Sequence, residues 1–234
     1  MASYKLEDGL YLYPTPAGAY YAIASNDTDK SRQFLCTLLQ QQQTPLLNIA
    51  NIKQLMNMDT EESCLDLLYH CQRLGWVQGI NQPLHFPQEP LEKLLPGLLL
   101  KLSQTGKALL ADNQGFYLAS NGFPHEVAEE LSALSAEIAV VYNRRSGVLI
   151  KNLGLASNAW AVIDVTGNSK IGFWPIMIGA QRFHLVISGP PNFNQPEFVS
   201  LIWVLTVRYH KTGSHDEPVF THSTKASHRK NKTT

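Results

Sequence analysis

Short apolar and polar blocks alternate between residues 107 and 131, where the chain reads KALLADNQGFYLASNGFPHEVAEEL. The apolar run 107–111 is followed by Asp112-Asn-Gln-Gly115, which offers an Asx side chain at the start of a turn and a glycine at its end. Extended structure resumes at 116–119, so these residues predict a β-hairpin. Pro124 suits the first turn of a helix, and the glutamates that follow it favour the positive end of a helix dipole. The pattern therefore predicts a hairpin that runs directly into a long helix.

The predicted long helix carries one row of large apolar side chains and one row of small ones. The large row repeats at spacings of four and three residues, as expected for one apolar face of a helix: Val127, Leu131, Leu134, Ile138 and Val141. The small row offers a surface that a second backbone can approach closely: Ala128, Ser132, Ser135 and Ala139. We expect the large row to pack on the chain's own sheet and the small row to form a dimer or partner interface. The alternative is that the small row is only solvated.

The flanking residues predict further helices and strands. A helix is expected over 91–104, and a final helix is expected from 194–197, where a capping Asn, an early proline and an early carboxylate precede an apolar body. Between the long helix and the final helix, three runs predict strands: 159–165, 170–178 and 182–188. Residues 144–157 have no assignment, because the VLI within them extends a helix or begins a strand equally well.

The first 82 residues predict a smaller, mainly helical region. Residues 9–23 read as two strands around a Pro-Thr-Pro-Ala-Gly turn, and a further strand is expected in the WVQGI segment that starts at Trp76. Three helices are expected between them: 30–42, 49–56 and 61–74. This order of elements over 1–82 resembles a winged-helix domain. Residues 83–90, PLHFPQEP, have few helix or strand signals and are expected to be a linker.

The order of elements from residue 91 to residue 210 resembles the roadblock (dynein light chain) superfamily. The resemblance rests on the aspartate-to-glycine turn at 112–115, the small residues at 119–122 and the helix rich in alanine and glutamate over 126–139. It implies an α+β fold in which a five-stranded antiparallel sheet has one helix on one face and two on the other, usually assembled as a dimer. It also implies protein binding without an active site. Eukaryotic members serve as dynein light chains and lysosomal scaffolds, and bacterial members often partner a small Ras-like GTPase.

Composition limits where the protein is expected to act. With 234 residues, of which 44% are apolar, the chain is long enough for one large domain or two small ones. No apolar run reaches the roughly 18 to 20 residues needed to span a bilayer, and MASYKLEDGL lacks the layout of a signal peptide. We therefore expect a cytoplasmic protein without a membrane partner. Cys36, Cys64 and Cys71 are an odd set in such a chain, so buried thiols are expected and disulfides are not.

Charge is unevenly distributed along the chain, although the formal net charge is zero. Residues 211–234 contain five Lys or Arg and two Asp or Glu, whereas residues 1–90 contain five and nine. The final segment also has few apolar groups whose burial would offset the entropy lost on ordering. We therefore expect 211–234 to be a disordered, basic tail.

Sequence signals for catalysis, cofactors and metals are weak. The TGK at 105–107 resembles the end of a phosphate-binding loop, but Lys101 replaces the first glycine of that motif and no Ser or Thr follows Lys107. Cys64 and Cys71 lie on one helical face, from which His70 points about 100° away, so core packing is expected instead of a metal site. We expect no enzyme activity, no cofactor and no dedicated metal site.

A winged-helix-like region raises the alternative of DNA binding. Binding to DNA requires basic side chains that neutralise phosphates. The candidate recognition helix carries Glu61, Glu62 and Asp66 against the single Arg73. We therefore expect this region to contact protein, and nucleic acid is not the expected partner.

These observations lead to one hypothesis and one alternative. The hypothesis is a non-enzymatic, homodimeric regulator or scaffold that binds a small Ras-like GTPase and modulates its nucleotide cycle or its localisation. The alternative is a DNA-binding transcriptional regulator that uses the N-terminal winged-helix-like region. For the dimer, the strand near 159–165 is expected to pair with its twin along an exposed edge, where Trp160, Val162 and Asp164 share one face beside the small row.

Overall fold

The computed structural model describes residues 5–25, 29–155 and 157–210; the basic tail predicted at 211–234 lies outside them. Seven α-helices lie in this described part: α1 Pro16–Ile23, α2 Lys30–Leu39, α3 Ile49–Met56, α4 Glu61–Arg73, α5 Leu91–Lys101, α6 His125–Ser146 and α7 Pro196–Tyr209. Seven strands accompany them: β1 Tyr11–Pro14, β2 Val77–Ile80, β3 Ala108–Asp112, β4 Tyr117–Asn121, β5 Trp160–Ile163, β6 Ser169–Ile178 and β7 Gln181–Ser188. A π-helical turn, Gly147–Asn152, extends α6 toward β5.

Five of the strands form a central antiparallel sheet in the order β4-β3-β7-β6-β5. Helix α6 covers one face, where it packs on Leu109, Ala111, Phe173 and Val186. Helices α5 and α7 cover the other face. Successive residues of a strand point to opposite faces, so Leu110 of β3 points to the face that these two helices cover. The predicted α+β fold, with a five-stranded antiparallel sheet and helices on both faces, is confirmed.

The hairpin between β3 and β4 forms for the reason that the sequence indicates. Asp112 Oδ1 accepts hydrogen bonds from the backbone N–H groups of Gln114 and Phe116 at 2.9 and 3.0 Å. Gly115 has a φ of +89°, a conformation that favours glycine. A Cβ added to Gly115 would lie 3.1 Å from the Cα of Ala133 in α6. The hairpin turn therefore rests directly against the backbone of the long helix.

The N-terminal region differs from its prediction between residues 9 and 23. The only strand in this stretch is β1, which pairs with β2 in a two-stranded antiparallel sheet. The expected second strand is helix α1, because Pro16 occupies its first turn and Thr15 Oγ1 accepts a hydrogen bond from the Gly18 N–H at 3.1 Å. The predicted hairpin at 9–23 is therefore wrong. The winged-helix interpretation of residues 1–82 stays a prediction.

The N-terminal helices pack on α7, so described residues on both sides of 83–90 contribute to one hydrophobic core. Trp203 of α7 connects the two regions: its indole Nε1 donates a hydrogen bond to the carbonyl of Gln41 at 2.8 Å. Its ring also contacts Tyr13 and Phe86 edge to face. Phe86, which lies in the segment expected to be a linker, is buried. The division of the chain into two domains at 83–90 stays a prediction. Described residues on both sides of that boundary pack in the same core.

Candidate interaction surface

The small row of α6 lies against the chain's own sheet. Its four members are 8% exposed or less: Ala128, Ser132, Ser135 and Ala139. The two hydroxyls are satisfied within the helix, since Ser132 Oγ donates to the carbonyl of Ala128 and Ser135 Oγ donates to that of Ser132, both at 2.7 Å. The expectation that this row is a free surface for a second backbone is therefore wrong. Its small side chains bring the helix close to the chain's own sheet.

Three of the five members of the large row of α6 face outward instead, and we call these three the outward row. Val127, Leu134 and Val141 are 42%, 41% and 47% exposed, and Leu131 and Ile138 are half-buried at the margin of the helix–sheet contact. The expected packing of the large row on the sheet therefore holds only for Leu131 and Ile138. The sheet packs mainly against the small row, because this row lets the two backbones approach most closely. A contiguous apolar row on the outer face of a helix is typical of an interaction surface.

Strand β5 lies at the edge of the central sheet. It pairs with β6 on one side, and no described strand pairs with its other side. Trp160, Val162 and Ile163 are all exposed, and because successive side chains point to opposite faces, the strand is uncovered on both. Asn158, just before β5, lines a small cavity with Tyr142 of α6, so the edge strand and the end of α6 lie close together. An unpaired apolar edge is a template for another strand.

Asp164, which was expected in the interface, has a different role in the turn between β5 and β6. Its Oδ1 accepts hydrogen bonds from the N–H and the hydroxyl of Thr166 and from the N–H of Asn168, at 2.7 to 3.0 Å. Its Oδ2 lies 3.0 Å from the ammonium of Lys170. The Thr166 hydroxyl first, and the Lys170 ammonium second, hold the pKa of Asp164 well below its usual range. We therefore assign Asp164 to the turn and not to the interface.

A buried histidine that the sequence analysis missed lies under the C-terminal half of α6. His184 of β7 is 1% exposed, and its Nε2 has no hydrogen-bond partner among the described residues. It lines a narrow cavity between α6 and the sheet with Tyr142 and Arg182. Burial, and then the nearby Arg182 guanidinium, lowers the pKa of His184 to about 4. The sequence shows no alternation of polar and apolar residues that would assign His184 to one face, because β7 is buried on both faces from 183 to 187.

Acid should weaken the fold through His184. The pKa of His184 is about 4 in the folded chain and 6.5 ordinarily. As the pH falls, its imidazole is therefore protonated at a higher pH in the unfolded chain than in the folded chain. The free energy of unfolding should therefore decrease between about pH 6.5 and about pH 4, in total by roughly 3 kcal/mol. Urea melts of the protein and of His184→Leu across this pH range measure the effect. An equal pH dependence in both proteins would contradict this origin.

Helix α4 presents an acidic outer face. Glu61, Glu62 and Asp66 are exposed, and Arg73 at the end of the helix is the basic group that accompanies them. Carboxylates on this face would repel the phosphates that a recognition helix must approach. The charge pattern favours contact with protein over contact with nucleic acid.

Other parts of the described structure offer few reactive groups. No three His, Cys, Asp or Glu side chains in the described ranges are placed to hold a metal ion, and Cys64 and Cys71 are buried free thiols. A cavity of about 570 Å³ beside the C-terminal end of α7 is lined mainly by neutral groups of residues 40–46, together with His210. Among the helices described, none is both long and apolar enough to cross a membrane. The exposed surface of α6 and β5 is therefore the candidate functional site.

Comparisons with known proteins give similar structures but no sequence family. No protein-family model matches the sequence, and no curated protein matches it. Among solved structures, a Roadblock/LC7 domain from Streptomyces avermitilis is 16% identical with a TM-score of 0.35, and the match covers 51% of this chain and 96% of that chain. The gliding protein MglB from Thermus thermophilus is 21% identical with a TM-score of 0.31, and the match covers 50% and 84%. Both TM-scores are low, and neither match assigns a function to this chain.

Proposed function

We propose that this chain is a non-enzymatic, homodimeric regulator or scaffold that binds a small Ras-like GTPase and modulates its nucleotide cycle or its localisation. The observation that carries the proposal is the apolar surface formed by the edge strand β5 and the outward row of α6. The chain's own described elements leave both features uncovered. The resemblance of the turn at 112–115 and the helix that follows it to the roadblock superfamily supports a GTPase as the class of partner.

The dimer would form by pairing two β5 strands about a two-fold axis, which extends the central sheet across both copies. Such pairing satisfies the free backbone N–H and C=O groups of the edge and removes an aggregation liability. The outward row of α6, which includes Val127, Leu134 and Val141, then supplies the helical part of the interface in place of the small row. Apolar side chains at the centre of an interface stabilise association because they leave water.

Val162→Lys should weaken self-association without unfolding the chain. Val162 is exposed on the edge strand, so a lysine is tolerated in the single chain, but pairing of two edges would bring the lysines of the two copies close together across the seam, where like charges repel. Sedimentation equilibrium should show a dimer dissociation constant raised at least about tenfold. Phe116→Lys, at an exposed position in the β3–β4 hairpin, is the matched control and should leave the constant unchanged. A monomeric unmodified chain, or an unchanged constant for Val162→Lys, would overturn the dimer through β5.

The GTPase is tested in a separate experiment. Small GTPases encoded in the same genome are loaded with GDP or with a non-hydrolysable GTP analogue and passed over the immobilised chain. We expect one of them to bind with a preference for one nucleotide state, and its rate of nucleotide exchange or hydrolysis to change when the chain is added. Salt-sensitive binding to duplex DNA, with no GTPase retained, would instead favour the transcriptional regulator.

A further inference from the structure

Residues 144–155, which comprise the last turn of α6 and the segment after it, form an exposed extension that leads toward β5. The π-helical turn Gly147–Asn152 within it has no buried residue, and its main contacts are with α6. Four large apolar side chains of the extension are 47% to 62% exposed: Val148, Ile150, Leu153 and Leu155. So many exposed apolar groups in one short segment indicate that something other than the described chain covers them.

The same extension is basic and has no carboxylate of its own. Its three cations are exposed: Arg144, Arg145 and Lys151. No carboxylate of the described residues lies within ion-pair distance of any of them. The sequence contains no Asp or Glu from residue 138 to residue 163. The flanking acids are Glu137, about 10 Å earlier along α6 than the first of the cations, and Asp164, which is already paired with Lys170.

This charge pattern disfavours contact between the extensions of two copies of the chain. If two copies met through it, their cations would face one another with no carboxylate from either extension between them. Like charges brought together while water is displaced are strongly unfavourable. The extension therefore requires an anionic partner, and its role is separate from the pairing of β5 edges.

We propose that residues 144–155 bind the surface of an anionic lipid bilayer. The cations are attracted to acidic headgroups, and the four apolar side chains enter the interfacial region. Trp160, exposed at the start of β5, carries the type of amphipathic ring that favours this interface. A deformable lipid surface accommodates a protruding segment, whereas a folded protein would need a groove of matching shape. This reverses the sequence-based expectation of no membrane partner, which rested on the absence of a run long enough to span.

The test is flotation of the full chain with vesicles in which about a third of the lipid is phosphatidylserine and the rest phosphatidylcholine. We expect the chain to float with these vesicles and not with pure phosphatidylcholine. Changing both Leu153→Ser and Leu155→Ser should lower the bound fraction at least about fivefold, because the apolar insertion is lost. Phe116→Ser removes a similarly exposed side chain, 64% against 62% for Leu153, and should float normally. Thermal melts check that each variant is folded.

The basic tail is a separate source of charge, so it is tested in the same assay. The tail variant replaces its last four cations: Lys225→Gln, Arg229→Gln, Lys230→Gln and Lys232→Gln. This variant should keep most of the binding. If it loses binding while the double leucine variant retains it, the tail carries the interaction and the proposal is wrong. Absence of flotation by the unmodified chain also overturns it. If the leucine variant instead raises the dimer dissociation constant, a second copy covers the extension, which again contradicts the proposal.

Discussion

Ala128→Arg should strongly destabilise the protein, whereas Val127→Arg, one residue earlier in α6, should leave its stability almost unchanged. Ala128 is buried against β3, β6 and β7, where an arginine has neither space nor an ionic partner. A loss of at least about 3 kcal/mol in the free energy of unfolding is expected. Val127 is 42% exposed, so its replacement should change stability by no more than about 0.5 kcal/mol. Urea melts of the two variants provide the measurement.

This pair of variants determines which side of α6 meets the sheet, because neighbouring helical residues point about 100° apart. If the small row were a free surface, Ala128→Arg would fold normally and only its association would change. Val127→Arg would then be the destabilised variant. Sedimentation of the folded Val127→Arg protein also shows whether the outward row contributes to self-association.

Gly18→Ala should destabilise the protein by roughly 3 kcal/mol, the second large effect that we expect. A Cβ added at this position in α1 would overlap the backbone carbonyl of Trp76, immediately before β2. That carbonyl also accepts a hydrogen bond from the Thr15 N–H at 3.0 Å. The oxygen therefore cannot move aside without disturbing the start of both elements. Thermal melts of the variant give the loss of stability.

Gly97→Ala in α5 is the matched control. Gly97 is exposed within a helix, and an added Cβ would have no atom within 4 Å. Alanine loses less backbone entropy on folding than glycine does, so this variant should gain about 0.5 to 1 kcal/mol. Melting temperatures that shift in opposite directions are the expected result. A Gly18→Ala protein as stable as the parent would show that α1 and the residue before β2 are not in close contact.

Local signals were sufficient to predict the sheet region. The turn at 112–115 was predictable because the Asp112 side chain bonds only backbone groups within the next four residues. The error at 9–23 has one local cause and one long-range cause. Tyr20 and Tyr21 favour strands by propensity, but the cap at Thr15 begins a helix, and Tyr21 then stacks on Trp76 with ring centroids 3.9 Å apart. A contact between residues so distant in sequence cannot be read from the pattern.

For the candidate surface too, the sequence determined some features and the tertiary structure determined others. The amino-acid sequence alone determined that α6 has a large and a small row and that the residues near 160 form an apolar strand. It did not determine which row meets the sheet, since both have helical spacing. The tertiary structure decided this, because the hairpin turn at Gly115 rests on the backbone of Ala133 and the small row is buried against the sheet.

Residues 144–155 illustrate the same division. Their basic and apolar composition is visible in the sequence, but apolar residues are ordinarily buried by elements that are distant along the chain. Periodicity carries no information about whether such an element is present. Only the tertiary structure decided that β5 ends the sheet and that the extension before it has no buried residue in its π-helical turn. The sequence by itself determined the chemistry of this surface, and the packing of the rest of the chain determined that it is exposed.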